Sequence, residues 1–357
     1  MNNSSPKRIL VAPLDWGLGH ATRCIPIIRE LIRRKAEIFI ASSGHALILL
    51  RQEFPDLIFF ELPAYRMHYS KRLPFSVNLF LQAPKFFKAE KLEHDQITKV
   101  VEEHKVDLII SDSRVGCWSN SVPSVFITHQ VNLQMPLLLK WLSPAVNRLN
   151  HRWINRFTHC WIPDELENPI SGKLSSTQSI NARFIGILSR FKQLAGIEKK
   201  YNLLVLLSGP EPQRTVLEEI LLKQLMNFSS NVFFVRGLPG ENHLAQHNNR
   251  NVSFANHLPS DELNNIIEES ELIICRSGYS TVMDMARLAK KVIFIPTPGQ
   301  TEQEYLAEEL MKRKIAFCVN QDSFNLMQAL KLSVAYTGFV GLGENDLMEK
   351  AFDELGI

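Results

Sequence analysis

The chain has 357 residues, 45% of them hydrophobic and 22% charged, the make-up of a globular protein long enough for two domains. A net charge of +3 gives no bulk attraction for nucleic acid, so any basic surface has to be local. Five scattered cysteines (Cys24, Cys117, Cys160, Cys275 and Cys318) form no Cys-x-x-Cys pair, which speaks against a disulfide framework or a zinc site. The start MNNSSPKR lacks the order of a secretory signal, and no run approaches the ~18 apolar residues of a membrane span, so a cytoplasmic protein is expected.

In chain order, the apolar runs RILVAPL (8–14), EIFIAS (37–42), LIFFEL (57–62), DLIISD (107–112), SVFITH (124–129) and HCWIPD (159–164) read as strands. Amphipathic stretches near 20–34, 44–53, 85–104 and 133–157 fall between several of them. Buried strands joined by crossover helices give a parallel sheet covered on both faces. Residues 165–183 break the pattern with a polar Ser/Gly/Pro-rich stretch, expected as a linker. Strands resume with NLLVLLSG (202–209), NVFFVRG (231–237), NVSFAN (251–256), ELIICRSG (271–278) and KVIFIPTP (291–298). Helical patterns near 211–226, 259–269, 280–290 and 302–313 separate them, and 344–357 reads as a terminal helix. The fold class is α/β, with an N-terminal domain over 1–165, a second over 166–345, and a tail over 346–357 that would pack back on the first.

In open α/β sheets ligands bind beyond the carboxyl ends of the strands, and the informative residues stand there. After the first strand come Gly17, Gly19 and His20. The glycines let a ligand approach the backbone closely, and the helix start favours an anion or oxyanion. An imidazole beside a helix N-terminus is favoured in its neutral form, able to accept a proton. Thr22 stands where a dinucleotide fingerprint would need its third glycine. Asp112 and His129 end two further strands of this half. Asp112 could orient or activate an acceptor, and Arg23, His129 and Gln130 could bind it. In the second half Ser208 and Gly209 turn after a strand. Ser277, Gly278, Ser280 and Thr281 open a helix as a seat for phosphate, with Asp284 one turn on, able to accept from ribose hydroxyls. Glu302 and Gln303 open the next helix, where acidic residues also suit the helix dipole. Arg276 and Arg214 are candidate cationic contacts. Each of these also has an ordinary structural reading as a cap, a solvated residue or a core residue.

Two runs, GLGHATR (17–23) and CRSGYSTVMDMARLAKKVIFIPTPGQTEQEYLA (275–307), resemble the GT-B glycosyltransferases, most closely family 28, which includes the lipid-linked N-acetylglucosaminyltransferase of peptidoglycan synthesis. The resemblance implies two Rossmann-like α/β/α domains facing a central cleft, the second holding the nucleotide of a UDP-sugar. Ser277, Gly278 and Thr281 would meet the diphosphate, Asp284 (commonly glutamate in the family) the ribose, Glu302 and Gln303 the sugar. Ser208 and Gly209 stand at the glycine turn, although SGPEPQ departs from the family's double glycine. His20 matches the glycine-loop histidine, a base or oxyanion stabiliser. No metal and no cofactor is implied, the nucleotide-sugar being a substrate, and the chain has no Asp-x-Asp.

Residues 65–91 and 137–157 mix cations with aromatics, either as a membrane-facing surface or as core with solvated charges. The expected function is transfer of a sugar from a nucleotide-diphosphate donor to an acceptor hydroxyl. If those stretches face outward, the acceptor is lipid-linked and the enzyme peripheral to the inner face of the membrane. Two alternatives stay open: a UDP-sugar hydrolase, whose GxGHxxR turn Gly17–Arg23 also resembles, and a non-catalytic nucleotide-sugar binding subunit.

Overall fold

All the strands expected from the sequence are present in the computed structural model, which describes residues 6–65, 83–133, 135, 137–176, 180–238, 241, 248–341 and 346–357. The chain divides into two units, residues 1–188 with 345–357, and residues 189–344.

The first unit is built on β1 (Arg8–Pro13), α1 (Leu18–Arg33), β2 (Glu37–Ser42), α2 (Gly44–Glu53), β3 (Ile58–Glu61), α3 (Ala83–His104), β4 (Leu108–Asp112), β5 (Ser124–Ile127), α4 (Ser143–Ile154), β6 (His159–Ile162) and β7 (Ala182–Phe184). Its seven strands run parallel in the order β3-β2-β1-β4-β5-β6-β7. Successive side chains of β1 point to opposite faces. Ile9 and Val11 join Ile25 and Ile28 of α1, whereas Leu10 and Ala12 join Ile97 and Val101 of α3. Burial on both faces explains why these strands read as unbroken apolar runs.

The expected linker over 165–183 belongs to this unit. Asp164, fully buried, accepts from the Ile170 N–H (2.8 Å), the Ser171 N–H (2.9 Å) and the Ser171 hydroxyl (2.6 Å), which ties down the polar loop. The loop then delivers β7 alongside β6, so the boundary falls after Leu188 and not at 165. A three-residue strand carries no periodicity that a sequence pattern could register.

The terminal helix α10 (Leu347–Glu354; α5 to α9 follow below) is part of the first unit. Phe352 is fully buried and meets Trp161 edge-on at 5.2 Å between ring centres. Arg34, at the end of α1, donates to Asp353 (2.6 Å) and to the Glu349 carbonyl (3.1 Å).

The second unit holds β8 (Tyr201–Leu206), α5 (Gln213–Leu225), β9 (Val232–Val235), β10 (Val252–Ala255), α6 (Ser260–Glu268), β11 (Ser270–Cys275), α7 (Tyr279–Arg287), β12 (Lys291–Phe294), α8 (Thr301–Lys312), β13 (Phe317–Cys318) and α9 (Leu326–Ser333). Its six parallel strands follow the order β10-β9-β8-β11-β12-β13. The two-residue β13 and the helix α9 were outside the sequence expectation.

In each sheet the first strand lies inside, with its successors on one side and the later strands on the other. The strand order therefore reverses between β1 and β4, and again between β8 and β11. Beyond the carboxyl ends of such a pair a crevice opens in which α/β proteins bind ligands.

Truncating Phe352 to alanine should lower the stability of the first unit by about 3–5 kcal/mol, the usual cost of emptying a buried aromatic site. Urea denaturation followed by tryptophan fluorescence reads it, and a loss near zero would show that α10 does not complete this core.

Candidate active site

At the first reversal, the turn after β1 and the end of β4 face each other. Pro13 and Asp112 are register partners, and the Leu14 N–H donates to the Asp112 carbonyl at 2.9 Å. Gly17 caps α1 with φ 81°, a left-handed conformation that favours glycine. The helix starts at Leu18, so His20 stands in its first turn and Arg23 one turn later on the same face.

The Asp112 carboxylate is fully buried and Arg23 is only 3% exposed. The Arg23 guanidinium grips the carboxylate with two donors: Nε reaches Oδ2 at 2.8 Å and Nη2 reaches Oδ1. Asp112 Oδ1 also lies 3.0 Å from His20 Nδ1 and accepts from the Ser113 hydroxyl at 3.1 Å. Arg23 Nη1 reaches His129 Nδ1 at 2.9 Å, which leaves the His129 proton on Nε2. Burial alone would push the Asp112 carboxyl up, but the Arg23 charge, and after it His20, hold it well below the usual carboxylate range. The neighbouring Cys24 thiol is pushed far up by burial, with the Asp112 charge adding to it.

His20, Asp112, Arg23 and His129 thus form one cluster. Arg23 and His129, expected to contact an acceptor, are instead buried behind His20. Gln130 is half-buried; its N–H donates to the Thr128 hydroxyl (3.1 Å) and its carbonyl accepts from Asn150 (3.0 Å). His20 is partly exposed, and its Nε2 has no hydrogen-bond partner among the described residues.

Below this cluster the sequence reading missed a second buried pair, Arg114 with Glu93. Arg114 Nε donates to the Pro13 carbonyl (2.9 Å) and Nη2 to the Ser43 hydroxyl (2.6 Å), bracing the end of β1. The arginine sits within the LIISDSR run; only its place beside a strand end could have flagged it.

In the second unit the loops after β8, β11 and β12 carry the expected donor residues. Gly278 caps α7, whose first-turn N–H groups, through Thr281, point out of the helix. Ser277 is fully buried and its hydroxyl donates to the Gln303 carbonyl at 2.8 Å, joining the β11 loop to α8. Gly209 has φ 108°, again left-handed, and exposed Ser208 precedes it. A Cβ on Gly209 would stand 3.7 Å from the Thr297 hydroxyl, so the β8 and β12 loops adjoin.

Three of the expected ligands prove to be braces. Arg276 is 1% exposed and donates to the carbonyls of Ile295 and Pro296 (3.1 Å each), of Gln213 (2.8 Å), and to Gln321 Oε1 (2.6 Å). With neutral partners only, burial pushes it down to about 10. Arg214 is buried between Glu211 (2.5 Å) and Glu218 (2.6 Å). Gln303 accepts from the Thr297 N–H (2.8 Å) and donates to Gln300 Oε1 (2.5 Å), which engages both ends of its amide. Ser280, Thr281 and Glu302 are half-buried on the first turns of α7 and α8.

Asp284 accepts from the Ser189 hydroxyl at 2.5 Å, a partner 95 residues away that no motif marks. Burial pushes its carboxyl up to about 6, against the opposing pull of Arg190 and Ser189.

Of the two basic aromatic stretches, residues 66–82 lie outside the described residues. Trp153 packs on Phe86 (5.3 Å) and Phe87 (6.0 Å), and Phe157 is buried against Phe126 (4.7 Å). Trp141 stands 75% exposed. The 137–157 stretch is therefore core at one end and surface at the other. Among the described residues no helix is long and apolar enough to cross a membrane, and no cluster of side chains could hold a metal ion.

Residues 213–335 match the glycosyltransferase family 28 C-terminal domain. The chain is 26% identical over 252 residues, 67% of each protein, to the UDP-N-acetylglucosamine--N-acetylmuramyl-(pentapeptide) pyrophosphoryl-undecaprenol N-acetylglucosamine transferase of Glaesserella parasuis. The fold is shared across nearly the whole length with solved glycosyltransferases. For CalG4, the calicheamicin glycosyltransferase, the TM-score is 0.67 at 13% identity, covering 99% of this chain and 98% of that one. For Acinetobacter baumannii MurG it is 0.59 at 14%, covering 98% and 99%. The chain has the GT-B fold, and part of its second unit matches the family 28 C-terminal domain. An uncharacterized glycosyltransferase of Methanosarcina mazei is also similar, at 20% identity over 325 residues, 83% of this chain and 81% of the relative.

Asp284 carries a pH signature. Unfolded, its carboxyl ionises near 3.8; folded, near 6. Between those values the folded state holds the extra proton, so this group's contribution to stability falls as pH rises and stays low above 6. Asp284→Asn should therefore stabilise the protein at pH 7 and have little such effect at pH 4, as read by urea denaturation at both. Equal effects at the two pH values would contradict the burial argument.

Proposed function

We propose that the protein transfers a sugar from a nucleotide-diphosphate donor, a UDP-sugar, to an acceptor hydroxyl, with His20 as general base. The observation that carries this reading is the seating of His20 Nδ1 against a buried carboxylate at a sheet's reversal point, which turns Nε2 outward. In the reaction the acceptor oxygen bonds to the anomeric carbon as the bond from that carbon to the diphosphate breaks. The leaving oxygen keeps the electron pair, and the acceptor proton passes to His20 Nε2. Asp112 then stabilises the imidazolium, as a carboxylate behind a histidine base does.

For the donor, the first-turn amides of α7 from Gly278 to Thr281 are suited to the charge of the diphosphate. Asp284 is suited to ribose hydroxyls. The nucleotide-sugar is a substrate in this scheme and the step calls for no resident cofactor. The similarity to transferases named for an undecaprenol-linked acceptor supports a lipid-linked acceptor met at the inner face of the membrane, and exposed Trp141 beside Lys140 suits such a surface.

A panel of UDP-, GDP- and dTDP-sugars, assayed for nucleoside diphosphate release with and without a membrane lipid extract, tests this. Release from UDP-sugars that needs the extract, and falls by about 10²–10⁴ in His20→Ala, is expected. Release indifferent to the extract would make the enzyme a hydrolase. Binding without turnover in any mixture would make the protein a binding subunit.

A further inference from the structure

His20 Nδ1 stands between two groups with opposite demands. Asp112 Oδ1, 3.0 Å away, can only accept a proton from it, whereas Arg23 Nη2, 2.9 Å away, can only donate one to it. With the proton on Nδ1 the ring bonds to Asp112 and Nε2 carries the lone pair. With the proton on Nε2 the ring accepts from Arg23 and has no lone pair to offer a substrate. The arginine and the carboxylate therefore decide between them whether His20 is a base.

The balance of charge decides it. The Arg23 fork neutralises Asp112 as a pair, so the carboxylate holds the Nδ1 proton without drawing a second proton onto the ring. Removed from the fork, a buried carboxylate beside an imidazole favours the imidazolium, whose Nε2 is already occupied. The far end of Arg23 is fixed on His129 Nδ1 at 2.9 Å, so the fork has little freedom to turn from Asp112 towards His20. The charged and titratable groups around the ring, among the described residues, are Arg23 and Cys24 on α1, Asp112 at the end of β4, and His129 beyond β5 through Arg23.

We propose that Arg23 is a positioning residue for catalysis: anchored on His129, it neutralises Asp112 so that His20 rests as the neutral, Nδ1-protonated base. The inference rests on the reading of His20 as base, and it assigns to Arg23 a role that does not require it to touch a substrate.

The test is spectroscopic and does not depend on turnover. Long-range ¹⁵N–¹H correlation spectra of the imidazole rings, with the His20 signal assigned from its loss in His20→Gln, report which nitrogen holds the proton and the pH at which the second one adds. Wild type should show the Nδ1–H form. In Arg23→Met the His20 titration midpoint should rise by about one pH unit or more, since an opposite charge at this range shifts a titration by that much. Arg23→Lys keeps the charge and should leave the midpoint near that of wild type, while its looser grip lowers kcat more than it changes KM. Where Arg23→Met alone fails to fold, Arg23→Met with Asp112→Asn removes both charges, and its midpoint should return to within about half a unit of wild type. An Nε2–H ring in wild type overturns the proposal, as does an unmoved midpoint in a folded Arg23→Met protein or a displaced one in the double variant. Absence of turnover with the expected spectra would instead count against the transferase reading and leave the Arg23 assignment standing.

Discussion

The first unit depends on a carboxylate that has been taken wholly out of water. Asp112 ends β4 at the point where the strand order reverses, with no exposed surface. An unpaired charge there would cost several kcal/mol, so the site exists only because Arg23 closes on both oxygens. That requirement fixes the face that α1 turns to the sheet and the position of the turn before it. Gly17 lets the chain leave β1 in a left-handed conformation and enter the helix at once. His20 then falls one turn before Arg23, with its Nδ1 on the same carboxylate. The geometry of the base follows from the need to neutralise the acid.

Under the proposed function the second unit meets the opposite problem, a ligand with charge of its own. The side chains that looked like its ligands are mostly committed elsewhere. Arg276 braces the carbonyls behind the β12 loop, Arg214 is enclosed by glutamates, and Gln303 ties Thr297 to Gln300. What they hold in place is backbone: Arg276 takes the carbonyls of Ile295, Pro296 and Gln213, and Gln303 takes the Thr297 N–H. For the proposed seat on the first-turn amides of α7, preorganised dipoles would stabilise developing charge better than mobile side chains do. Asp284 is the exception, a carboxyl held on Ser189 whose burial leaves it easily protonated.

Much of this was legible in the chain. Long apolar runs marked the central strands because both faces of each sheet are covered, and strand ends marked the chemistry because parallel sheets bind ligands there. The pairing of His20 with Asp112 could be anticipated only as two residues at one end of a sheet. Their contact depends on β1 and β4 being neighbours, a fact of topology. The three-residue spacing of His20 and Arg23 was a visible signal that both share a helical face, but its meaning required knowing where Asp112 lay. Short elements such as β7 escaped because they have no periodicity. In the second unit, polar residues near glycines look alike in sequence whether they brace the backbone or bind a ligand. Only burial and partners separate them.

The transfer proposed for this protein requires the second unit to seat a nucleoside diphosphate on the backbone at the end of β11. Hydrogen–deuterium exchange of the intact protein with and without uridine diphosphate tests it most directly. Slowed exchange confined to the amides of 277–282, with lesser protection at 208–210, is the predicted result. Saturating ligand that leaves those amides unchanged, or protects a different strand end, would contradict the account.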